Sequence, residues 1–220
     1  MIMDQMLSKR QMAFLDIIGK EKNIVKSFYL TGGTPLAVFY LQHRYSEDLD
    51  FFSEHEVDLL SIQSFLKKNK MVIGYDTFEL QQSFNRNIFF INFPDENLKV
   101  EFTYFPFTRI EKGEKQYGVE IDSLKDIAVN KLFTIYQRTK ARDYIDLYCI
   151  IKKNHYSIKD LISLAKVKFD WHVDPITLGA QFVKSRIATD LPLMIANVSP
   201  EEWQSFFIKE ANKLKDDIFS

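Results

Sequence analysis

Apolar positions recur at two different periods along this chain, and the change between them falls near residue 122. Residues 5–20 (QMLSKRQMAFLDIIGK) place apolar side chains at helical spacing, and 27–32 read as a short buried strand. A helix is predicted over 34–43 (TPLAVFYLQH), with Thr34 as N-cap and Pro35 at its first position, where a missing N–H costs nothing. DLDFFS (48–53) forms a second strand, and 57–69 a helix whose apolar face carries Leu59, Leu60, Ile62, Phe65 and Leu66. Three strand-like runs follow: MVIGYDTFELQQ (71–82), RNIFFINF (86–93) and LKVEFTYFP (98–106), the last two joined by the turn-forming PDEN. An extended piece, YGVEID, ends this half at residue 122.

From Ser123 onward every pattern is helical. IDSLKDIAVNKLFTIYQR begins with Ser123 as N-cap and Asp126 as its capping-box partner, and further helices are predicted over 142–153, 157–168, 174–188 and 200–217. There is no internal repeat and no Pro/Gly/Ser-rich linker. The patterning predicts an α+β protein: a mixed β-sheet with flanking helices over 1–122, and an all-helical part over 123–220 that packs against it.

The chain has 220 residues, of which 46% are hydrophobic, enough for one large domain or two small ones sharing a core. With 29 basic against 30 acidic residues, no global attraction to nucleic acid exists, and any RNA-binding surface is local. The 20 Phe and 10 Tyr fall within strand and helix patterns and are expected to serve packing. The single cysteine, Cys149, lies in an apolar run and is expected to be a buried thiol. MIMDQMLSKR lacks the apolar core of a secretion signal, and no stretch approaches the roughly 18 apolar residues of a membrane span, so a soluble cytoplasmic protein is expected.

Chemistry concentrates between residues 32 and 50. Gly32 and Gly33 occupy a strand-to-helix turn, where backbone N–H groups can approach a phosphate. Asp48 and Asp50 are one residue apart on a strand, so both carboxylates point one way while Leu49 points inward. Such a pair suits Mg²⁺. A two-metal phosphoryl-transfer site needs a third carboxylate from an adjacent strand, and Glu101 is the candidate. Each residue also has a structural alternative: Asp48 capping a turn, Asp50 pairing with Arg44, Glu101 as an exposed strand glutamate, Thr34 as helix cap only. Lys131, Arg138 and Arg142, spaced by seven and four, would share one face of a continuous helix and could hold phosphates, or simply form a solvated face. Arg142 and Asp146 form an i,i+4 pair, and Asp143 and Asp146 could orient the basic groups or stabilise helix ends. His43 and Arg44 serve either helix C-terminal carbonyls or substrate. The other histidines show no metal-ligand spacing, and no GxSxG, Cys-His, zinc or Walker A motif is present.

YLTGGTPLAVFYLQHRYSEDLDFFS resembles the first motif of the AbiEii/AbiGii-type toxin nucleotidyltransferases of the DNA polymerase β-like superfamily. KVEF stands in the place of that family's second carboxylate motif, and DIAVNKLFTIYQRTKARDYIDLYCI looks like its downstream motif. The resemblance spans roughly residues 27–150, with three motifs in order. It implies a nucleotidyltransferase core, an NTP substrate with Mg²⁺ (Mn²⁺ as an alternative), an RNA acceptor such as the 3′ end of tRNA, and a toxin role with a cognate antitoxin. Carried across, Gly33 and Thr34 would hold phosphate and Lys131 the nucleotide triphosphate; Gly32, Arg44, Arg138 and Arg142, singled out above from the residues themselves, join them as candidate nucleotide-binding groups. Asp48, Asp50 and Glu101 would bind metal, and Asp143 or Asp146 would complete the catalytic set. Thr34 stands where serine is common and Glu101 where aspartate is usual. Two other readings are a nucleotide- or partner-binding module of the same fold and an enzyme that nucleotidylates protein.

Overall fold

The order of elements follows the alternation of periods along the chain, and a computed structural model describes residues 6–219. Helices α1 (Lys9–Ile18) and α2 (Lys22–Ser27) lead into β1 (Tyr29–Thr31). A single turn, α3 (Gly33–Pro35), continues as a π-helical stretch over Leu36–Leu41 before β2 (Leu49–Ser53) and α4 (Leu59–Ile73). Strands β3 (Thr77–Ser83), β4 (Arg86–Asn92), β5 (Asn97–Tyr104), β6 (Lys115–Gln116) and β7 (Val119–Ile121) follow. Then come α5 (Leu124–Gln137), α6 (Ala141–Asn154), α7 (Ile158–Phe169), α8 (Pro175–Val183) and α9 (Pro200–Phe219).

All strands join one seven-stranded sheet in the order β3-β4-β5-β2-β1-β7-β6. β2 runs parallel to β5 and β1 parallel to β7, while the other pairings are antiparallel, so the sheet is mixed. Strand periodicity sends Leu49, Phe51, Val100 and Phe102 into the apolar core with Phe14, Phe65, Leu66 and Phe89. Phe51 stacks on Phe102 at 5.1 Å, and Phe89 meets Phe102 edge-on at 5.9 Å.

The chain divides into two units: residues up to 40, 46–108 and 112–123 make the first, and 41–45, 109–111 and 124 onward the second. The second has its own core, in which Tyr144 stacks on Trp203 at 5.9 Å and Phe207 lies edge-on to Tyr144 at 5.1 Å. Within it Asp126 and Lys168 form an ion pair of 2.6 Å with both side chains fully buried. Asp126 also accepts from the backbone N–H groups of Ile110 and Glu111, so it ties α5 to the 109–111 segment as well as to α7, beyond the helix-cap role its position suggested.

The α+β expectation holds, with local differences. Gln5, the start of the expected first helix, lies outside the described residues. The helix expected over 34–43 begins at Gly33 with Gly32 at the cap, so Thr34 is not the N-cap, and its later part is π-helical. Residues 71–73, expected as strand, complete α4, which ends in the left-handed Gly74. The apolar run there is helical because it extends the buried face of Ile62, Phe65 and Leu66 to Ile73, whereas Leu60 is exposed. The helix expected over 174–188 gives way to a 3₁₀ turn at Lys184–Ile187. Residues 194–196 bond with 43–44 instead of adding helix. No described helix is long and apolar enough to cross a membrane.

Replacing Lys168 by methionine would leave Asp126 charged, buried and short of its cation. The expected outcome is a loss of about 3–5 kcal/mol, read as a lower urea midpoint at unchanged m.

Candidate active site

The first unit brings the glycine turn and the aspartates together through backbone register. β1 pairs with β2 so that Thr31 lies opposite Asp50, and β2 pairs with β5 so that Asp50 lies opposite Glu101. The three sit on the sheet face away from the aromatic core. Gly32 follows at φ 82°, a left-handed value that favours glycine. A Cβ there would meet Asp50 Oδ2 at 2.7 Å, so the missing side chain is what lets the Asp50 carboxylate lie against the turn. Thr34 is buried and its hydroxyl donates to the Asp48 carbonyl, with Ser46 Oγ 3.0 Å away. It therefore ties the turn to the main chain that carries the dyad. Gln11 of α1 adds bonds to the carbonyls of Ser46 (3.2 Å) and Glu47 (3.0 Å), fixing the approach to Asp48. At the end of β1, Thr31 donates to Asp122 at 2.7 Å.

Two cations of the same face meet these carboxylates. Lys99 Nζ lies 2.7 Å from Asp48 Oδ2, and both side chains keep part of their exposure. Arg86 grips Glu101 with two bonds, Nε to Oε1 at 2.7 Å and Nη2 to Oε2 at 2.6 Å, and the Thr103 hydroxyl donates to Oε1 at 2.6 Å. Burial pushes the Glu101 carboxyl up, but the Arg86 and Thr103 hydrogen bonds outweigh it and hold the group below its ordinary value. Among the described residues, no three His, Cys, Asp or Glu side chains gather closely enough to hold a metal ion. Asp48 and Asp50 by themselves fit Mg²⁺, which takes one or two carboxylates and completes its shell with water and phosphate oxygens. Glu101 accepts from Arg86 on both oxygens and from Thr103 on one, so serving as a third ligand would require it to give up part of this bonding.

The second unit contains a buried knot of charge. Asp146 is fully buried and is reached by Arg44 (Nε 2.7 Å, Nη2 2.9 Å), His43 Nε2 (2.7 Å) and Lys131 Nζ (2.6 Å). Lys131 also meets Asp143 at 2.8 Å, and Arg138 grips the other Asp143 oxygen at 2.9 and 3.0 Å. Burial raises both aspartates, but Lys131 first and then Arg44 or Arg138 overcome it, so Asp143 is lowered and Asp146 lies well below the carboxylate range. Burial lowers Lys131, and Asp146 and Asp143 more than reverse it. The continuous helix expected to carry Lys131, Arg138 and Arg142 is interrupted: α5 stops at Gln137 and α6 starts at Ala141. Lys131 is consequently buried while Arg142 is exposed, and Asp146 pairs with Lys131, Arg44 and His43 instead of Arg142. Arg44 belongs to Asp146, not to Asp50. Cys149 is half-buried, its thiol pushed up to about 12 by burial and then by the Asp146 charge.

Lys99, Arg86, Thr103 and Gln11 are among the residues of these arrangements that escaped the sequence patterns. Lys99 was within reach, being two residues before Glu101 on one strand. Arg86 required the hairpin register that sets it opposite Thr103.

The folded-state values of Asp143 and Asp146 lie below the ordinary 3.8, so their stabilisation is complete above that value and is lost as pH falls through the folded ones. Lys131 is raised above 10.5, so its contribution persists below that value and is lost as pH rises through the folded one. Thermal melts should show Tm falling once pH drops below about 4. Asp146→Asn, which strands Arg44 and leaves Lys131 with Asp143 as its one carboxylate partner, should cost about 3–5 kcal/mol at neutral pH and make that acid fall shallower.

Comparison with known proteins agrees with this architecture. The model of the AbiEii family, described as nucleotidyl transferase toxin of a type IV toxin–antitoxin system, matches residues 22–217. The uncharacterized protein aq_aa25 of Aquifex aeolicus (strain VF5) is 34% identical over 150 residues, covering 66% of this chain and 68% of its own length. Among solved structures, JHP933 from Helicobacter pylori superposes with a TM-score of 0.59 at 22% identity, over 96% of this chain and 94% of that one. The nucleotidyltransferase toxin MenT4 from Mycobacterium tuberculosis H37Rv superposes with a TM-score of 0.55 at 15% identity, over 95% and 86%. With a mixed sheet that sets a glycine turn beside an aspartate dyad, and a family match running from α2 into α9, the chain belongs to the AbiEii family of nucleotidyltransferase toxins.

Proposed function

We propose that the protein transfers a nucleoside monophosphate from an NTP to a hydroxyl of RNA, the 3′ end of tRNA being the expected acceptor, in a reaction dependent on Mg²⁺ or Mn²⁺. The observation that carries this reading is the seating of the Asp50 carboxylate against Gly32, with Asp48 two residues earlier and tied to the same turn through Thr34. The turn offers backbone N–H groups to the triphosphate, while Asp48 and Asp50 would hold the cation. When bound, the cation supplies charge neutralisation for the phosphoryl group under attack.

The chain's own residues prepare that encounter. Gly32 leaves room for carboxylate and phosphate on one side of the turn, and Thr34, Ser46 and Gln11 keep the aspartates from drifting. Lys99 is the counter-charge of Asp48 in the absence of ligand. In a pair that is only partly buried it can change partners at small cost and turn to a phosphate oxygen. In the second unit Lys131, Arg138 and Arg142 are the proposed phosphate-binding cations, with Asp143 and Asp146 setting the first two in place. Membership in a toxin–antitoxin family supports a cognate antitoxin for this chain.

Incubation with labelled NTPs, Mg²⁺ and tRNA should give label on the RNA, and Asp50→Ala should reduce it on the order of 10²-fold or more, as loss of a transition-state charge partner does. Equal labelling by both proteins contradicts the reading. Label on protein, seen as nucleotide adducts by mass spectrometry, identifies a protein acceptor instead. Gly32→Ala, which drives a methyl group into the Asp50 carboxylate, should lower transfer without abolishing the fold, checked by circular dichroism.

A further inference from the structure

Glu101 is the carboxylate opposite Asp50, and the three bonds it accepts come from Arg86 and Thr103. A two-bond arginine–carboxylate fork fixes the plane of both groups. Here it is lopsided, for the Glu101 side chain is 4% exposed and that of Arg86 51%. The carboxylate is thus the anchor and the guanidinium the group presented, with N–H donors beyond the two that Glu101 takes.

Register tells which end of the face Arg86 serves. Arg86 lies opposite Thr103 on β5, and Thr103 lies opposite Phe52 on β2, toward the C-terminal end of that strand. β1 runs the other way along β2, so Thr31 and the glycine turn after it lie toward Asp48. Arg86 therefore reaches the carboxylates from the end away from the glycine turn, and Lys99 is the cation at Asp48. A phosphate held by Arg86 is a different phosphate from one cradled at Gly32.

Phe84 adds an independent observation. It sits in the two-residue turn that joins β3 to β4, with φ 52° where such turns favour glycine, asparagine or aspartate. Its ring is fully exposed, so this strained backbone has no return in packing. An exposed aromatic ring two residues from an anchored, half-exposed arginine joins a stacking surface to a phosphate fork. That is the combination single-stranded nucleic acid binds, and in a chain of balanced charge it is local, as it must be.

We propose that the β3–β4 hairpin is the docking site for the single-stranded end of the nucleic-acid acceptor: Arg86 binds a backbone phosphate, Phe84 stacks on a base, and Glu101 positions Arg86 rather than ligating metal. The inference rests on RNA as the acceptor, as proposed above.

Fluorescence anisotropy with a labelled single-stranded RNA oligonucleotide, without NTP or divalent metal, reads this surface directly. Phe84→Asn, which tolerates the same φ, and Arg86→Gln should each weaken binding about tenfold. Arg86→Gln should also reduce the slope of log affinity against log salt by roughly one phosphate contact. Glu101→Gln should weaken RNA binding about as much as Arg86→Gln while leaving Mn²⁺ affinity, measured by electron paramagnetic resonance, unchanged; Asp50→Asn should do the reverse. Because Phe84 is fully exposed, its variant keeps the test readable even if Arg86→Gln, which strands a buried Glu101, unfolds. RNA binding unaffected by Phe84→Asn overturns the proposal, as does loss of Mn²⁺ affinity in Glu101→Gln. RNA binding that depends on Phe84 in a protein that labels no RNA sustains this surface and overturns the transfer reading. RNA labelling with an unchanged KM in Phe84→Asn overturns the surface alone.

Discussion

The parallel pairing of β2 with β5 constrains both packing and chemistry in the first unit. Strand side chains alternate between faces, so a slip of one residue exchanges everything on one face for everything on the other. In the register present, Phe51 and Phe102 stack inside while Asp50 and Glu101 come side by side outside. Any shift that separated the carboxylates would also expose these rings and strip Phe89 of Phe102 and Phe14 of Phe51. Hydrophobic burial thereby guarantees the placement of charges that contribute little to folding themselves.

Charge is settled inside each unit by resident partners, but with different permanence. Asp48 and Lys99 remain partly exposed, and pairs of this kind exchange readily. Arg86 and Glu101 are sealed on one side, the Asp146 knot is buried except where Arg138 reaches its margin, and the Asp126–Lys168 pair is sealed on all sides. Removing one member of a sealed pair strands the other in a medium that cannot solvate it. The exchangeable pair lies at the dyad, the proposed nucleotide site; the more deeply buried charges hold geometry. Asp146 shows this most clearly, since one carboxylate collects donors from the 43–44 segment and from α5.

Some departures from regular geometry in the first unit lie next to the strands of this face. The left-handed Gly32 opens the turn to Asp50, the π-helical stretch follows it directly, and the left-handed Phe84 caps the hairpin that carries Arg86. Regular strands carry Asp50 and Glu101, Asp48 immediately precedes β2, and irregular backbone borders them, so rigid elements set distances while the turns leave main-chain groups accessible.

The sequence by itself determined the α+β class, most of the elements, the family, and the alternation that points Asp48 and Asp50 away from Leu49, because these depend on local period and on motifs contiguous in the chain. It misjudged residues 71–73, where an apolar run suits either period and only packing chooses, and the start of the 34–43 helix, where the left-handed Gly32 takes the cap position in place of Thr34. Tertiary structure alone decided the partners: Arg44 and His43 reach Asp146 across 102 and 103 residues, and Lys99 reaches Asp48 across 51. An ion pair depends on where two backbones meet, and nothing in either segment records the charge of the other.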